Sequence, residues 1–197
     1  MAFINHNAKI IHLKIVYYGP SLSGKTTNIR WIYQHLNREQ QGQLTELNTD
    51  IERTLLLDFL PIGNFDTRGY KTRIHLYSVP GQIVYDASRR FILKSVDGVI
   101  FVADSQRERS DENLNALKNL EKNLEQSGYN LADIPLVIQY NKRDLPNLAP
   151  VQEMRNLLNP YNAPDFEAAA SRGQGVFEAF NTVTKNIVHI LKGGELL

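Results

Sequence analysis

The feature that most constrains this chain is a glycine-bounded segment that ends in a lysine and a threonine, Gly19-Pro20-Ser21-Leu22-Ser23-Gly24-Lys25-Thr26. It fits the phosphate-binding pattern G-x-x-x-x-G-K-[ST]. The apolar and β-branched run before it, residues 13–18, predicts a buried strand. Ile29, Ile32 and Leu36 after it recur at helical spacing. A strand that feeds the loop and a helix that leaves it are the context that this pattern requires.

The residue types of this loop indicate the binding of a nucleoside triphosphate. Successive backbone N–H groups and the positive end of the helix dipole form a concave anion site. Gly24 would let the backbone approach the phosphates without a Cβ clash. Lys25 would reach the β- and γ-phosphates, and the Thr26 hydroxyl would bind Mg²⁺. The predicted nucleotide-binding residues of this segment are Gly19, Ser21, Leu22, Ser23, Gly24, Lys25, Thr26 and Thr27.

Strand-like and helix-like segments alternate along the chain, which predicts one α/β domain over residues 1–197. Residues 98–103 are a fully apolar run and residues 135–140 a mostly apolar one, which predicts two buried parallel strands. The segment 55–78 predicts a hairpin, and Asn37 to Asp50 lack apolar periodicity and predict a long loop. We expect a mostly parallel sheet with helices on both faces and ligands at the carboxyl ends of its strands. The aromatic residues predicted for the core are Trp31, Phe91 and Phe180.

The composition excludes several classes of function. A net charge of +1 without a basic stripe argues against a nucleic-acid partner. The absence of cysteine excludes disulfides, catalytic thiols and prenyl or palmitoyl anchors, and Ala2 excludes N-myristoylation. No apolar run approaches the roughly 18 residues of a membrane span, and no signal-peptide pattern is present. We expect a cytoplasmic protein without a lipid anchor.

A second motif, Asn141-Lys142-Arg143-Asp144, comes directly after the predicted strand at 135–140. A carboxylate can accept hydrogen bonds from both N1–H and the exocyclic amine of guanine, a donor pair that adenine lacks. Asp144 therefore predicts selection of guanine. The Lys142 stem would lie over the purine face, and Asn141 would brace the loop. The combination with the phosphate loop indicates a site for GTP and GDP.

Together these motifs resemble those of the small Ras-like GTPases, and the resemblance covers almost the whole chain. More narrowly, the chain is similar to the bacterial polarity GTPases of the MglA type, which serve gliding motility. The segments that carry the resemblance are KIVYYGP (14–20), GKTTN (24–28), ERTL (52–55), DFLP (58–61), VPGQ (79–82) and NKRDLP (141–146). The resemblance implies a Ras-like P-loop GTPase domain.

The resemblance also gives roles to further positions. Thr54 matches the first-switch threonine, which ligates Mg²⁺ and senses the γ-phosphate, and Gly81 matches the second-switch glycine, whose N–H bonds that phosphate. Gln82 matches the glutamine that orients the attacking water, and Arg53 occupies the place of an arginine finger supplied in cis. With Lys25, these two are the predicted catalytic residues. The positions that match the guanine-contacting S-A-K motif are Ala169, Ala170 and Ser171.

Three positions depart from the Ras-like pattern. Ser78 stands where most Ras-like proteins have an aspartate that holds Mg²⁺ through water, so weaker binding of the ion is expected, although MglA-type proteins also carry a hydroxyl residue there. Ser21 occupies a loop position that is commonly glycine and close to the γ-phosphate, and its side chain could crowd Gln82 or an arginine finger and slow hydrolysis. Ser171 replaces the S-A-K lysine, which removes packing on the base but leaves the backbone contact of Ala170.

The implied function is a switch that cycles between GDP and GTP states. Its implied partners are a roadblock-fold GTPase-activating protein of the MglB type and effectors of polarity or motility, with recruitment to a cell pole. Two alternatives stay open. Ser21 suggests a GTP-loaded scaffold with negligible turnover. The phosphate loop alone also allows an enzyme that acts on another nucleotide or transfers phosphate to a small substrate, against which Asp144 argues.

Overall fold

A computed structural model describes residues 3–36, 42–48, 53–59, 69–79 and 86–193, and at 46–48, 53–59 and 86–88 it describes the backbone. Eight strands in this part of the chain form one sheet. The strands are β1 (Phe3–Asn5), β2 (Ile10–Tyr18), β3 (Gln43–Asn48), β4 (Arg53–Phe59), β5 (Lys71–Ser78), β6 (Gly98–Asp104), β7 (Leu136–Asn141) and β8 (Asp165–Glu167). The helices are α1 (Lys25–His35), α2 (Asp86–Leu93), α3 (Ser110–Glu125), α4 (Val151–Leu158) and α5 (Val176–Gly193).

The strand order is β3-β4-β5-β2-β6-β7-β8, with β1 paired to the start of β2. Strands β5, β2, β6, β7 and β8 are parallel neighbours, whereas β4 runs antiparallel to β5 and β3 antiparallel to β4. The predicted α/β fold with a mostly parallel sheet is confirmed, and so is the hairpin that joins β4 to β5. Parallel strands place their carboxyl ends at one edge, where their following loops meet.

Two apolar layers cover the faces of the sheet. Helices α1 and α5 bury one face through residues such as Ile29 and Val183, and α3 and α4 cover the other through residues such as Leu120 and Leu158. All seven residues of β6 are buried because this strand lies at the centre of the sheet. Continuous apolar runs in the sequence therefore mark the strands that are covered on both faces.

Two local predictions were wrong. The interval 37–50, predicted as a loop, contains strand β3 at Gln43–Asn48, because its backbone finds hydrogen-bond partners along β4. Phe91, predicted for the core, is 79% exposed on α2, while Phe180 is buried as predicted and Trp31 is partly buried against the core. Among the described helices, none combines the length and apolarity that a membrane crossing requires.

Candidate nucleotide site

The phosphate-binding segment joins β2 to α1 in a backbone shape that its two glycines allow. Gly19 and Gly24 have φ values of 141° and 103°, a region that residues with a Cβ rarely adopt. A Cβ at Gly19 would also overlap the carbonyl oxygen of Val102 in β6, and one at Gly24 would overlap the side-chain nitrogen of Asn141. The loop therefore packs closely against β6 and β7, and glycine is required at both positions.

The predicted phosphate-binding lysine lies inside this loop. The Lys25 ammonium group donates to the carbonyl oxygens of Gly19 at 3.1 Å and Pro20 at 2.6 Å, and the residue is 6% exposed. These contacts hold a positive charge beneath the loop that α1 follows. Gly24 is the N-cap of α1, so the helix begins with backbone N–H groups directed toward the loop. A bound anion would thus meet a cation and the positive end of a helix together.

The remaining loop residues differ in exposure. Ser23 is buried, and its hydroxyl has no hydrogen-bond partner among the described residues. Thr26 is half-buried in the first turn of α1, and Thr27 beside it is exposed. Leu22 has a left-handed φ of 62° and is 82% exposed. An exposed leucine in this strained conformation is a feature of the loop that the sequence pattern did not signal.

Asn141 joins the phosphate loop to the predicted guanine site. Its side-chain nitrogen donates to the Ser23 carbonyl oxygen at 2.7 Å, and its side-chain oxygen accepts from the Ala170 backbone N–H at 2.9 Å. The residue is only 2% exposed. The bracing role predicted for Asn141 therefore has a geometric basis, because one side chain fixes both the loop after β2 and the segment after β8.

The Asp144 carboxylate lies against the predicted S-A-K segment. It accepts a hydrogen bond from the Ser171 hydroxyl at 3.0 Å, and the Arg172 guanidinium lies 3.5 Å from the same oxygen. Ser171 thus orients the carboxylate as well as replacing a lysine, a role that sequence reasoning missed. The backbone N–H of Arg143 donates to the Ala168 carbonyl oxygen at 2.9 Å, which ties this turn to the segment that carries Ala169 and Ala170.

The lysine of the second motif is held by a buried aspartate. Lys142 has a left-handed φ of 67°, and its ammonium group contacts Asp104 Oδ2 at 2.6 Å. Asp104 ends β6, is 1% exposed and pairs in register with Asn141 of β7. Sequence analysis did not select Asp104, because a single aspartate after an apolar strand is not a motif; its position at a strand end beside the second motif was the available signal.

Tyr17 and Tyr140, in strands β2 and β7 below the site, carry neutral phenol groups. Burial raises the pKa of Tyr17 in β2 well above its ordinary value. Burial and, secondarily, the neighbouring Asp165 raise the pKa of Tyr140 in β7. The charges near the loop therefore come from lysine, arginine and carboxylate side chains, not from phenolates.

The predicted switch residues are placed only in part. Gly81 and Gln82 lie outside the described residues. Arg53 and Thr54 are the first two residues of β4, where their backbone pairs with Asn48 and Leu47 of β3. Ser78, at the carboxyl end of β5, is buried. The structure thus brings the phosphate loop and the second motif together, while the catalytic roles of Arg53 and Gln82 stay predictions.

The sequence profile of the ADP-ribosylation factor family matches residues 3–187. The chain belongs to this family. It is also 54% identical over 194 residues to the mutual gliding-motility protein MglA of Myxococcus xanthus (strain DK1622), an alignment that covers 98% of this chain and 100% of the relative.

This protein is therefore a small GTPase that binds GTP and GDP and hydrolyses GTP. Family membership favours GTP hydrolysis over both alternatives raised by the sequence, the non-hydrolysing scaffold and the enzyme of another nucleotide. The resemblance to small Ras-like GTPases, and to their MglA-type members, is confirmed.

Proposed function

We propose that this chain is a GTP-controlled switch in bacterial gliding motility or cell polarity. The observation that carries the proposal is the 54% identity to a mutual gliding-motility protein, which extends over 98% of this chain. An alignment of this extent spans the loops around the nucleotide as well as the core. We also propose that residues 1–197 form one domain, since strands from both halves of the chain pair in one sheet.

Guanine would be selected by Asp144. Its carboxylate, oriented by Ser171 and near Arg172, would accept from N1–H and the 2-amino group of the base. Lys142 would pack over the purine face. The Ala170 backbone N–H, which donates to Asn141 Oδ1 at 2.9 Å, would be shared with the base oxygen. Adenine offers no such pair of donors to the Asp144 carboxylate, so polar groups buried under the base would be unpaired in an ATP complex.

The selection of guanine can be tested by replacing one carboxylate oxygen of Asp144 with an amide nitrogen. Asp144→Asn replaces an acceptor oxygen by an N–H₂ donor, which suits the 2-oxo group of xanthine. We expect the variant to bind GDP at least about tenfold more weakly and xanthosine diphosphate more tightly than the natural chain does. Asp111→Asn, at an exposed position in the first turn of α3, is the matched control. Unchanged preference in Asp144→Asn would remove the guanine assignment.

Hydrolysis would proceed by in-line attack of water on the γ-phosphorus. The new P–O bond forms as the bond to the β–γ bridging oxygen breaks, which gives GDP and inorganic phosphate. Lys25 would stabilise charge on the β- and γ-phosphates, Gln82 would hold the water, and Arg53 would act as a finger in cis. Because there is little covalent chemistry for the protein to perform, positioning and charge stabilisation account for the acceleration.

Thr26, in the first turn of α1 beside the loop, offers a hydroxyl oxygen of the hard kind that Mg²⁺ prefers. Thr54 would supply the second hydroxyl that the resemblance implies, with phosphate oxygens and water completing the shell of the ion. When bound, the ion would neutralise charge on the β- and γ-phosphates. Ser78 would contribute no charge, so we expect weaker Mg²⁺ binding than in relatives with an aspartate there.

The γ-phosphate would order the segments around Thr54 and Gly81, and hydrolysis would release them. The partners that fit this proposal are an MglB-like roadblock-domain GTPase-activating protein and effectors of polarity or motility. We propose a cytoplasmic location with recruitment to a cell pole, and neither a nucleic-acid partner nor a lipid anchor. Loss of directed motility on deletion of the gene, with rescue by the natural chain but not by Asp144→Ala, would support this process.

The scaffold and switch interpretations differ in single-turnover hydrolysis. A switch hydrolyses bound GTP faster when the MglB-like partner is added, whereas a scaffold keeps its GTP in both conditions. Ser21→Gly tests the loop itself, because it removes the side chain that would crowd Gln82 or the arginine finger. A faster rate in Ser21→Gly than in the natural chain would assign slow turnover to that side chain.

A further inference from the structure

A chain of charged side chains connects the second motif to the back of the phosphate loop. Lys142 contacts the Asp104 carboxylate at 2.6 Å, and the Arg109 guanidinium lies 3.8 Å from the same carboxylate oxygen. Arg109 then donates to the Ser21 carbonyl oxygen at 2.9 Å. The two loops that would enclose the nucleotide are thus linked through Asp104 and Arg109, which belong to neither motif.

The buried carboxylate at the centre of this chain is fixed in place. The Asn113 side chain of α3 accepts from the Asp104 backbone N–H at 2.9 Å and donates to its carbonyl oxygen at 2.8 Å. Asp104 Oδ1 accepts from the Gln106 backbone N–H at 3.1 Å. Its Oδ2 is therefore the oxygen left for Lys142 and Arg109. Because Asn113 holds the Asp104 backbone and Gln106 holds one carboxylate oxygen, the Asp104 side chain has little freedom to follow a moving cation.

Arg109 is held from two further directions. It lies in the short 3₁₀ turn Arg107–Arg109 before α3, is 26% exposed, and pairs with Glu112 at 2.9 Å. One guanidinium group therefore faces Asp104, Glu112 and the Ser21 carbonyl oxygen at once. A planar fork with five N–H donors can serve three acceptors, which a lysine ammonium cannot do in the same geometry.

The contact with Ser21 fixes a peptide plane. In a trans peptide the C=O of Ser21 and the N–H of Leu22 point in opposite directions. When Arg109 holds that carbonyl on one side, the Leu22 N–H is directed to the other side. Leu22 has a left-handed φ of 62°, a conformation that needs support from its surroundings. Arg109 supplies that support from behind the loop.

We propose that Arg109 is a positioning residue that sets how long the nucleotide stays bound, by clamping the phosphate loop to the Lys142–Asp104 pair. The inference rests on the proposed placement of the nucleotide between these two loops. Release requires the loops to separate or the phosphate loop to change shape. Removing Arg109 removes its hydrogen bond to the Ser21 carbonyl while Asp104 keeps Lys142 as its partner, so the fold survives and nucleotide release becomes faster.

The test is the dissociation rate of a fluorescent GDP analogue from the full chain, chased with excess unlabelled GDP in the presence of Mg²⁺. Arg109→Ala should release the analogue about tenfold faster, the effect of losing one charge-assisted hydrogen bond. Arg107→Ala is the matched control, because Arg107 lies in the same 3₁₀ turn and its side chain is 53% exposed and pairs with Glu153 at 3.8 Å. Its release rate should stay within about twofold of the natural rate.

Two further readouts separate a clamp from a general loss of structure. The melting temperature of the nucleotide-free chain should change little in Arg109→Ala, since Asp104 keeps Lys142 as its partner. Arg109→Lys keeps the charge near Asp104 but cannot serve three acceptors, so it should release GDP at an intermediate rate. If Arg109→Ala lowers the melting temperature strongly, the proposal is tested instead by the GDP release rate of a well-folded Arg109→Lys, which should be intermediate.

The possible failures are distinguishable. Equal release rates in Arg109→Ala, Arg109→Lys and Arg107→Ala, with tight GDP binding in all three, would overturn the clamp and leave the proposed function intact. Failure of the natural chain to retain a guanine nucleotide would instead contradict the proposed function itself.

Discussion

Asn141 offers the sharpest test of how the site is assembled. Its side chain donates to the Ser23 carbonyl oxygen at 2.7 Å and accepts from the Ala170 N–H at 2.9 Å, and the residue is 2% exposed. Asn141→Ala removes both hydrogen bonds and leaves both backbone groups without that partner. A buried unsatisfied group costs about 1–3 kcal/mol, so two give about 2–6 kcal/mol.

The lower part of that range is the expected loss, because water can reach a loop at the edge of the sheet once the side chain is gone. We therefore expect the free energy of unfolding to fall by about 2–3 kcal/mol. For a domain of this size the melting temperature should drop by roughly 5–10 °C. GDP affinity should also fall by at least about tenfold, since both loops of the site lose their common anchor.

The assay is thermal unfolding of the nucleotide-free chain, followed by titration with a fluorescent GDP analogue. Nucleotide must be removed first, because a bound ligand raises the melting temperature by mass action. Asn156→Ala is the matched control, since Asn156 is exposed on α4 and its side chain accepts from Gln152 at 2.9 Å. The control should change stability by no more than about 0.5 kcal/mol. A melting temperature for Asn141→Ala equal to that of Asn156→Ala would refute the reasoning.

Two further predictions concern backbone shape and acid stability. Gly24→Ala should abolish tight GDP binding and lower the melting temperature more than Gly128→Ala does. Both glycines have a positive φ, but a Cβ at Gly24 meets Asn141 whereas one at Gly128 meets open space. Equal melting temperatures of the two variants would contradict this. Asp165 has its pKa lowered, first by the hydrogen bond from Arg155, so its contribution to stability is present above its ordinary value of 3.8 and is lost as pH falls through the folded value. Asp165→Asn should therefore flatten the acid limb of stability measured by urea unfolding from pH 5 to about pH 2, and an unchanged slope would show that the carboxylate is not linked to folding.

The parts of the fold that the sequence predicted depend on local pattern. The strand before Gly19 and the strand before Asn141 are mostly apolar runs, and their length and flanking turns identify them without knowledge of their neighbours. Strand β3 was missed because Gln43–Asn48 contains only two apolar residues, and it forms through backbone pairing with β4, which no local pattern encodes. Phe91 was assigned to the core by its type, although a helix with one buried face leaves such residues exposed.

The site was predictable to the same extent. The glycines and Lys25 belong to a motif whose spacing follows from the chemistry of phosphate binding, and the structure brings them together in the loop between β2 and α1. Arg109 and Asp104 belong to no motif, and the contact of Arg109 with Ser21 joins residues 88 positions apart. Ser171 was interpreted only as the loss of the S-A-K lysine and its packing on the base. In the structure its hydroxyl donates a hydrogen bond to Asp144. Such contacts arise from the folded chain and leave no periodic signal in the sequence.

The most direct test of the central claim is single-turnover GTP hydrolysis by the purified chain with Mg²⁺, with and without an MglB-like partner. The account predicts hydrolysis that the partner accelerates, that Gln82→Ala abolishes while GTP binding persists, and that Arg53→Ala slows by about a thousandfold if the finger acts in cis. Tight GTP binding without hydrolysis in either condition would contradict it, and the chain would then act as a scaffold and not as a switch.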